Sequence, residues 1–137
     1  MGKLLERLQD PSRSGVYRVT QTDEVVDATK GSHLSVTRIR HADKAELLKN
    51  IAAALQFPDW FGHNWDALED CLTDLSWRDA PGYVLLFEQP KRGDELGVLI
   101  DILRSSAEWW AGRGKPFFAV FVDPAGSLEL PELFRQT

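Results

Sequence analysis

The sequence has a single cysteine, Cys71, among its 137 residues. A lone cysteine cannot form an intramolecular disulfide, which is typical of proteins in a reducing compartment. No apolar run approaches the roughly 20 residues that a membrane-spanning helix requires. The first 15 residues contain no apolar core of the length found in a signal peptide. These absences predict a cytoplasmic protein that does not bind a membrane.

A surplus of positive charge is also lacking. The chain has 21 acidic and 16 basic residues, and its formal net charge is −5. Because proteins that hold a nucleic-acid backbone present a basic patch, we expect no direct contact with nucleic acid. An acidic surplus suits a basic protein partner instead. The length and the 43% hydrophobic content predict one globular domain over residues 1–137.

Catalytic motifs are absent as well. The sequence has no G-x-S-x-G, phosphate-binding loop, H-E-x-x-H or Cys/His pair. His63, Asp66 and Asp70 could form a metal or acid/base site, and His41 with Asp43 a second one. Simpler roles account for them, since Asp43 can cap a helix, His41 ends a strand and His63 lies in a turn. We therefore expect no enzyme activity, no metal and no cofactor.

The hydrophobic pattern alternates between strands and helices. Residues 83–87 and 117–122 are continuously apolar, as strands buried on both faces of a parallel sheet are. The order of elements predicts an α/β fold with a short, mainly parallel sheet, helical crossovers, and two or three layers. The predicted helices cover residues 2–10, 43–55, 64–75 and 93–111, and the predicted strands cover residues 15–20, 33–40, 83–87 and 117–122.

Two flanking segments are less regular. Residues 1–32 are expected to elaborate the core with a helix and with an edge strand over residues 15–20. Between residues 21 and 32 the chain is polar apart from two valines, and we assign only a turn over residues 30–32. The C-terminal residues 123–137 receive no assignment.

The densest signal is a loop followed by an amphipathic helix. Trp60 and Phe61 stand between Pro58 and Gly62, so a large ring is either exposed there or covers the core. Gly62 supplies a backbone angle that other residues resist, or permits the close approach of a partner. Asn64 then caps a helix that we expect to reach about residue 75. Its core stripe consists of Trp65, Leu68, Leu72 and Leu75, with Cys71 beside it.

A second stripe of this helix is acidic. Asp66, Asp70 and Asp74 follow one another at intervals of four, and Glu69 and Thr73 adjoin them. Like charges at this spacing destabilise an isolated helix by about 0.2–0.5 kcal/mol per pair, and only Asp66 is close to the positive end of the helix dipole. Such a stripe is either merely solvated or presents carboxylates to a cationic partner. A rigid aromatic beside it favours an interface.

The string PDWFGHNWDALEDCL, residues 58–72, resembles the signature of the barstar family. The order of elements from about residue 33 to residue 122 is similar to that family too. The resemblance implies an intracellular antitoxin or immunity protein that plugs the active site of a small ribonuclease. In that family the loop and the second core helix enter the nuclease cleft, and acidic side chains take the places of RNA phosphates.

The resemblance also implies a set of partner-binding residues. By position, Asp70 matches the main acidic residue, Asp66 its companion and Trp60 the interfacial aromatic. Glu69 stands where the family prototype has an aromatic residue. On the last helix Glu108 is only a candidate, since residues 102–110 do not align without a gap, and the pair Trp109–Trp110 is unmatched. The full predicted set is Trp60, Gly62, Asn64, Trp65, Asp66, Glu69, Asp70, Thr73 and Asp74.

Two alternatives stay open. The same scaffold could neutralise a toxin that is not a ribonuclease, or it could act as an interaction module with residues 1–32 as its docking element, because fold does not fix function. We expect the free protein to be a monomer.

Overall fold

The computed structural model describes residues 3–40, 44–59, 62–88, 90 and 93–134. Within these ranges there are two single 3-10 turns, Pro11–Arg13 and Ser76–Arg78, besides the helices and strands. Every helix in these ranges is too short or too polar to cross a bilayer. The strands are β1 (Gly15–Val19), β2 (Ser35–Arg40), β3 (Tyr83–Glu88) and β4 (Phe117–Val122), and the helices are α1 (Lys3–Leu8), α2 (Thr22–Thr29), α3 (Lys44–Leu55), α4 (Trp65–Leu72) and α5 (Asp94–Ala111).

The four strands form one parallel sheet in the order β1-β4-β3-β2. Val84 of β3 lies opposite Val36 and Phe118, and Val16 of β1 lies opposite Ala119. The two continuous apolar runs are the two central strands, because only central strands are covered on both faces. The predicted α/β fold with a short parallel sheet is confirmed.

Helices cover both faces of the sheet, which gives three layers. On the first face, Leu85, Phe87 and Phe121 pack into one core with residues of α3, α4 and α5. On the second face, Leu86 and Val120 pack into a separate core with α1 and α2. The N-terminal segment therefore adds two helices and the edge strand β1, one helix more than the sequence predicts.

The helix α2 is absent from the sequence-based assignment, which was wrong for these residues. The residue at its N-cap position, Gln21, makes no side-chain capping hydrogen bond. Val25 is fully buried, and Thr29 is 8% exposed and donates its hydroxyl to the carbonyl oxygen of Val25 at 2.8 Å. Because only one strongly apolar position of α2 is buried, its sequence shows too weak a helical repeat of apolar residues to be recognised. The helix is stabilised by its burial against the sheet.

The helix α4 ends at Leu72, not at Leu75 as predicted. Thr73 closes it with a backbone hydrogen bond to Glu69 at 3.0 Å. Leu75 adopts a left-handed backbone with φ of 49° and turns its fully buried side chain back into the core. A buried leucine at helical spacing thus imitates a longer helix. As a consequence, Asp74 lies beyond the helix rather than on its acidic stripe.

The C-terminal segment covers the outer edge of β1. The backbone N–H of Arg18 donates to Pro131, and its carbonyl accepts from Leu133, each at 2.9 Å. The side chains of Leu128, Leu130 and Leu133 are buried. Unpaired strand edges invite association with other chains, and this segment removes one such edge.

Candidate partner-binding surface

Two tryptophans anchor the helices that carry the candidate site. The indole N–H of Trp110 donates to the carbonyl of Leu72, the last residue of α4, at 2.7 Å. The indole N–H of Trp77 likewise donates to Leu55, the last residue of α3, at 3.0 Å. The last four carbonyls of a helix have no partner within it, so these side chains satisfy groups that burial would otherwise leave unpaired. The resemblance to the family matches neither member of the pair Trp109–Trp110; in the structure Trp110 is 6% exposed and Trp109 is half-buried.

The first turn of α4 is fixed by its cap, as predicted. The side-chain carbonyl of Asn64 accepts from the backbone N–H of Ala67 at 2.8 Å, and its amide donates to the carbonyl of Gly62 at 3.4 Å. A Cβ atom at Gly62 would lie 3.1 Å from this amide nitrogen, which leaves little room for a larger residue. Gly62 and Asn64 therefore shape the loop, whatever they contact in a complex.

The core face of α4 holds the helix against the sheet and α5. Leu68, Cys71 and Leu72 are fully buried, and Trp65 is half-buried against the same core. Burial, with smaller contributions from the carboxylates of Asp74 and Asp70, raises the pKa of the Cys71 thiol to about 11. The cysteine is therefore a protonated packing residue at neutral pH.

The acidic face of α4 consists of Asp66, Glu69 and Asp70. Asp66 and Asp70 are exposed and Glu69 is half-buried. None of these carboxylates takes part in an ion pair within the described ranges. Exposed carboxylates without an internal cation are available to donors of another molecule. The helix backbone that carries them is held by a buried face and two end caps.

Not all predicted site residues belong to this face. Thr73 donates its hydroxyl to the carbonyl of Glu69 at 2.9 Å and so serves the helix end. Asp74 is exposed in the following turn, and its N–H donates to Cys71 at 3.2 Å. Trp60 lies outside the described residues. The same holds for Phe61, and also for His41 and Asp43 of the rejected second catalytic pair.

In the part of the chain that the structure describes, no group of three or more His, Cys, Asp or Glu side chains is placed to hold a metal ion. Glu108, the candidate partner-binding residue on α5, has an exposed side chain. Its backbone carbonyl accepts a hydrogen bond from the N–H of Gly112 at 3.0 Å at the end of that helix.

Comparison with known families gives a clear match. The family model Barstar (barnase inhibitor) matches residues 32–122, which span β2 to β4 and include the whole of α4. The chain belongs to the barstar family. Membership of the barstar family implies a protein that inhibits a ribonuclease-type partner, and members of the family are inhibitors rather than enzymes. A search of curated proteins found no match to the chain. The helices α1 and α2, the strand β1 and the C-terminal segment lie outside the matched range.

Proposed function

We propose that this protein blocks the active site of a small basic ribonuclease with the acidic face of α4 and the loop before it. Asp70 is the principal residue and Asp66 its companion. The observation that carries the proposal is that these carboxylates are exposed, have no ion-pair partner in the described ranges, and stand on a helix fixed by burial at Leu68 and Leu72.

The chemistry of the partner explains the choice of side chain. A ribonuclease gathers lysine, arginine and histidine around the phosphate that it attacks. A carboxylate delivered there accepts charge-assisted hydrogen bonds, which are bidentate when the donor is an arginine. Opposite charges also accelerate the encounter of the two proteins.

The rigidity of α4 supports the same role. Holding a side chain in its bound orientation before binding reduces the entropy lost on association. The cap at Asn64 and the hydrogen bond from Trp110 to Leu72 restrain both ends of the helix. Asp66 and Asp70 are four residues apart and so project from adjacent turns of the same side.

The other predicted residues receive smaller roles. Gly62 and Asn64 set the loop, Trp65 borders the core, and Trp60 supplies an aromatic contact. Glu69 adds a third carboxylate beside Asp70, and Thr73 and Asp74 extend the surface beyond the end of α4. In the cell the protein acts as a cytoplasmic antitoxin that protects its producer from the nuclease.

The test is a titration of the purified protein into barnase and into small basic ribonucleases, including any that is encoded beside its gene, while RNA cleavage is followed. We expect one of these nucleases to lose its activity at a one-to-one ratio and the inhibition to weaken with salt. Asp70→Asn should weaken binding by a few kcal/mol, on the order of 2–4, which is the usual scale of a hot-spot residue.

A matched control is Asp27→Asn, since Asp27 is an exposed aspartate of α2 on the opposite side of the sheet. We expect this variant to inhibit as the unchanged protein does. If Asp70→Asn unfolds the protein or binds like Asp27→Asn, the site is assigned wrongly. If the unchanged protein inhibits none of the nucleases tested, the ribonuclease proposal is refuted and a different toxin is favoured.

A further inference from the structure

An arginine is stacked on a tryptophan at the end of α5. The guanidinium carbon of Arg113 lies 3.5 Å from the centroid of the Trp109 ring. One guanidinium nitrogen, Nη1, also donates to the backbone carbonyl of Trp109 at 3.2 Å. The Trp109 ring meets the Trp110 ring edge-on, with centroids 4.8 Å apart and an interplanar angle of 84°. The buried Trp110 thus supports Trp109, and Trp109 in turn supports the guanidinium.

The stack lies on the flank of α5 opposite the C-terminal segment. On the other flank, Ile100 lines a groove against Leu128 and Leu130 of the C-terminal segment. Trp109 follows Ile100 by nine residues, which is two and a half turns at 3.6 residues per turn, so the two side chains lie on opposite flanks. The hydrogen bond from Trp110 to Leu72 brings this end of α5 to the end of α4.

The guanidinium has donors to spare. An arginine carries five N–H groups in a planar fork. Arg113 is exposed and belongs to none of the ion pairs among the residues that the structure describes. The neighbouring cation, Lys115, is already paired with Asp79 at 2.7 Å. Arg113 is therefore the member of this turn that is available to an anion.

We propose that the Trp109–Arg113 stack is a second part of the nuclease-binding surface and receives a carboxylate of the nuclease. This proposal rests on the proposed function, because it concerns the same partner. A nuclease active site contains groups for general acid–base catalysis as well as cations for phosphate, and aspartate and glutamate are among the side chains that serve as the base. A surface with an acidic face and one fixed cation matches such a mixed site.

The stack also contributes specificity. A carboxylate meets a planar guanidinium in a bidentate geometry, and stacking on Trp109 holds that plane in one orientation. A nuclease with only cations at this place would bring a like charge against Arg113, which disfavours it. RNA is a poor ligand for the stack, since the acidic face of the adjoining α4 repels phosphates.

The experiment compares Arg113→Gln with Arg104→Gln, using a nuclease that the unchanged protein inhibits. Arg104 is also an arginine of α5, its side chain is 53% exposed, and it lines the groove with Ile100 on the flank opposite the stack. We expect Arg113→Gln to raise the dissociation constant about tenfold or more and Arg104→Gln to leave it unchanged. The dissociation constant of Arg113→Lys should lie between those of the two glutamine variants, because lysine keeps the charge and loses the planar fork.

A double-mutant cycle identifies the partner group. Each active-site aspartate and glutamate of the nuclease is changed to its amide, and one of these changes should abolish the difference between Arg113→Gln and the unchanged protein. If Arg113→Gln binds like Arg104→Gln, or if no amide variant shows coupling, the proposal is overturned while the inhibitor function stands. RNA binding by the free protein that is lost in Arg113→Gln would overturn it too. Should the unchanged protein inhibit no nuclease, both proposals fail together.

Discussion

Replacement of Trp110 by phenylalanine should destabilise the protein by removing the support of α4. The change deletes the N–H that satisfies the carbonyl of Leu72, and this contact is buried. A buried acceptor left without a donor costs about 1–3 kcal/mol, and the smaller ring leaves unfilled volume that adds about 1–2 kcal/mol. We expect the free energy of unfolding to fall by about 2–5 kcal/mol, measured by urea denaturation.

The variant Trp77→Phe is the matched control for this prediction. Trp77 makes the same kind of hydrogen bond at the end of α3, but its side chain is half-buried, so water can reach the freed carbonyl of Leu55 more easily. Its loss of stability should therefore be smaller. If the free energy of unfolding of Trp110→Phe is within about 0.5 kcal/mol of that of the unchanged protein, which is the usual effect of a surface substitution, the hydrogen bond to Leu72 does not support α4.

Two further predictions concern buried titratable groups. Burial raises the pKa of Asp123, but hydrogen bonds from the Leu128 N–H and from Ser127 outweigh it, so the folded protein holds this pKa below its usual value. The ionised Asp123 therefore stabilises the fold fully above the pKa of the unfolded state, and this stabilisation is lost as the pH falls through the pKa of the folded state. The difference in unfolding free energy between the unchanged protein and Asp123→Asn should shrink below about pH 4. A difference that stays constant with pH would contradict this. For Cys71, whose pKa is raised to about 11, we expect alkylation by iodoacetamide to be far slower in the native than in the urea-unfolded protein, and equal rates would show that the thiol is accessible.

Strong, uninterrupted patterns made much of the fold predictable. The apolar runs at residues 83–87 and 117–122 are the central strands of the sheet, since only residues covered on both faces can be apolar without alternation. The capping residue Asn64 fixed the start of α4 because its side chain bonds the helix backbone directly. Local chemistry of this kind is visible in a single sequence.

Elements that depend on distant partners were not predictable. The helix α2 has one fully buried apolar side chain, Val25, and forms because the second face of the sheet covers it. The end of α4 was misplaced because Leu75 is buried by a left-handed turn, not by a further helical turn. The pairing of residues 131–133 with Arg18 joins chain segments far apart in sequence, and no local signal reveals it.

Part of the candidate site was predictable from the sequence and part was not. The carboxylates Asp66, Glu69 and Asp70 were predicted from helical spacing and share one face, whereas Asp74 lies beyond the helix end. The stack of Arg113 on Trp109 was not predicted. A tryptophan four residues before an arginine is a pattern that could have indicated it, but many helices contain such a pair without stacking.

The acidic face of α4 is proposed to occupy the phosphate site of a ribonuclease. The most direct measurement is competition between this protein and a nucleoside monophosphate that binds in the active site of the inhibited nuclease. If the acidic face binds there, the nucleotide raises the apparent dissociation constant of the complex linearly with its concentration, and Asp70→Asn reduces affinity at that site. A ternary complex, in which the nuclease holds the nucleotide and this protein at once with unchanged affinities, would contradict it.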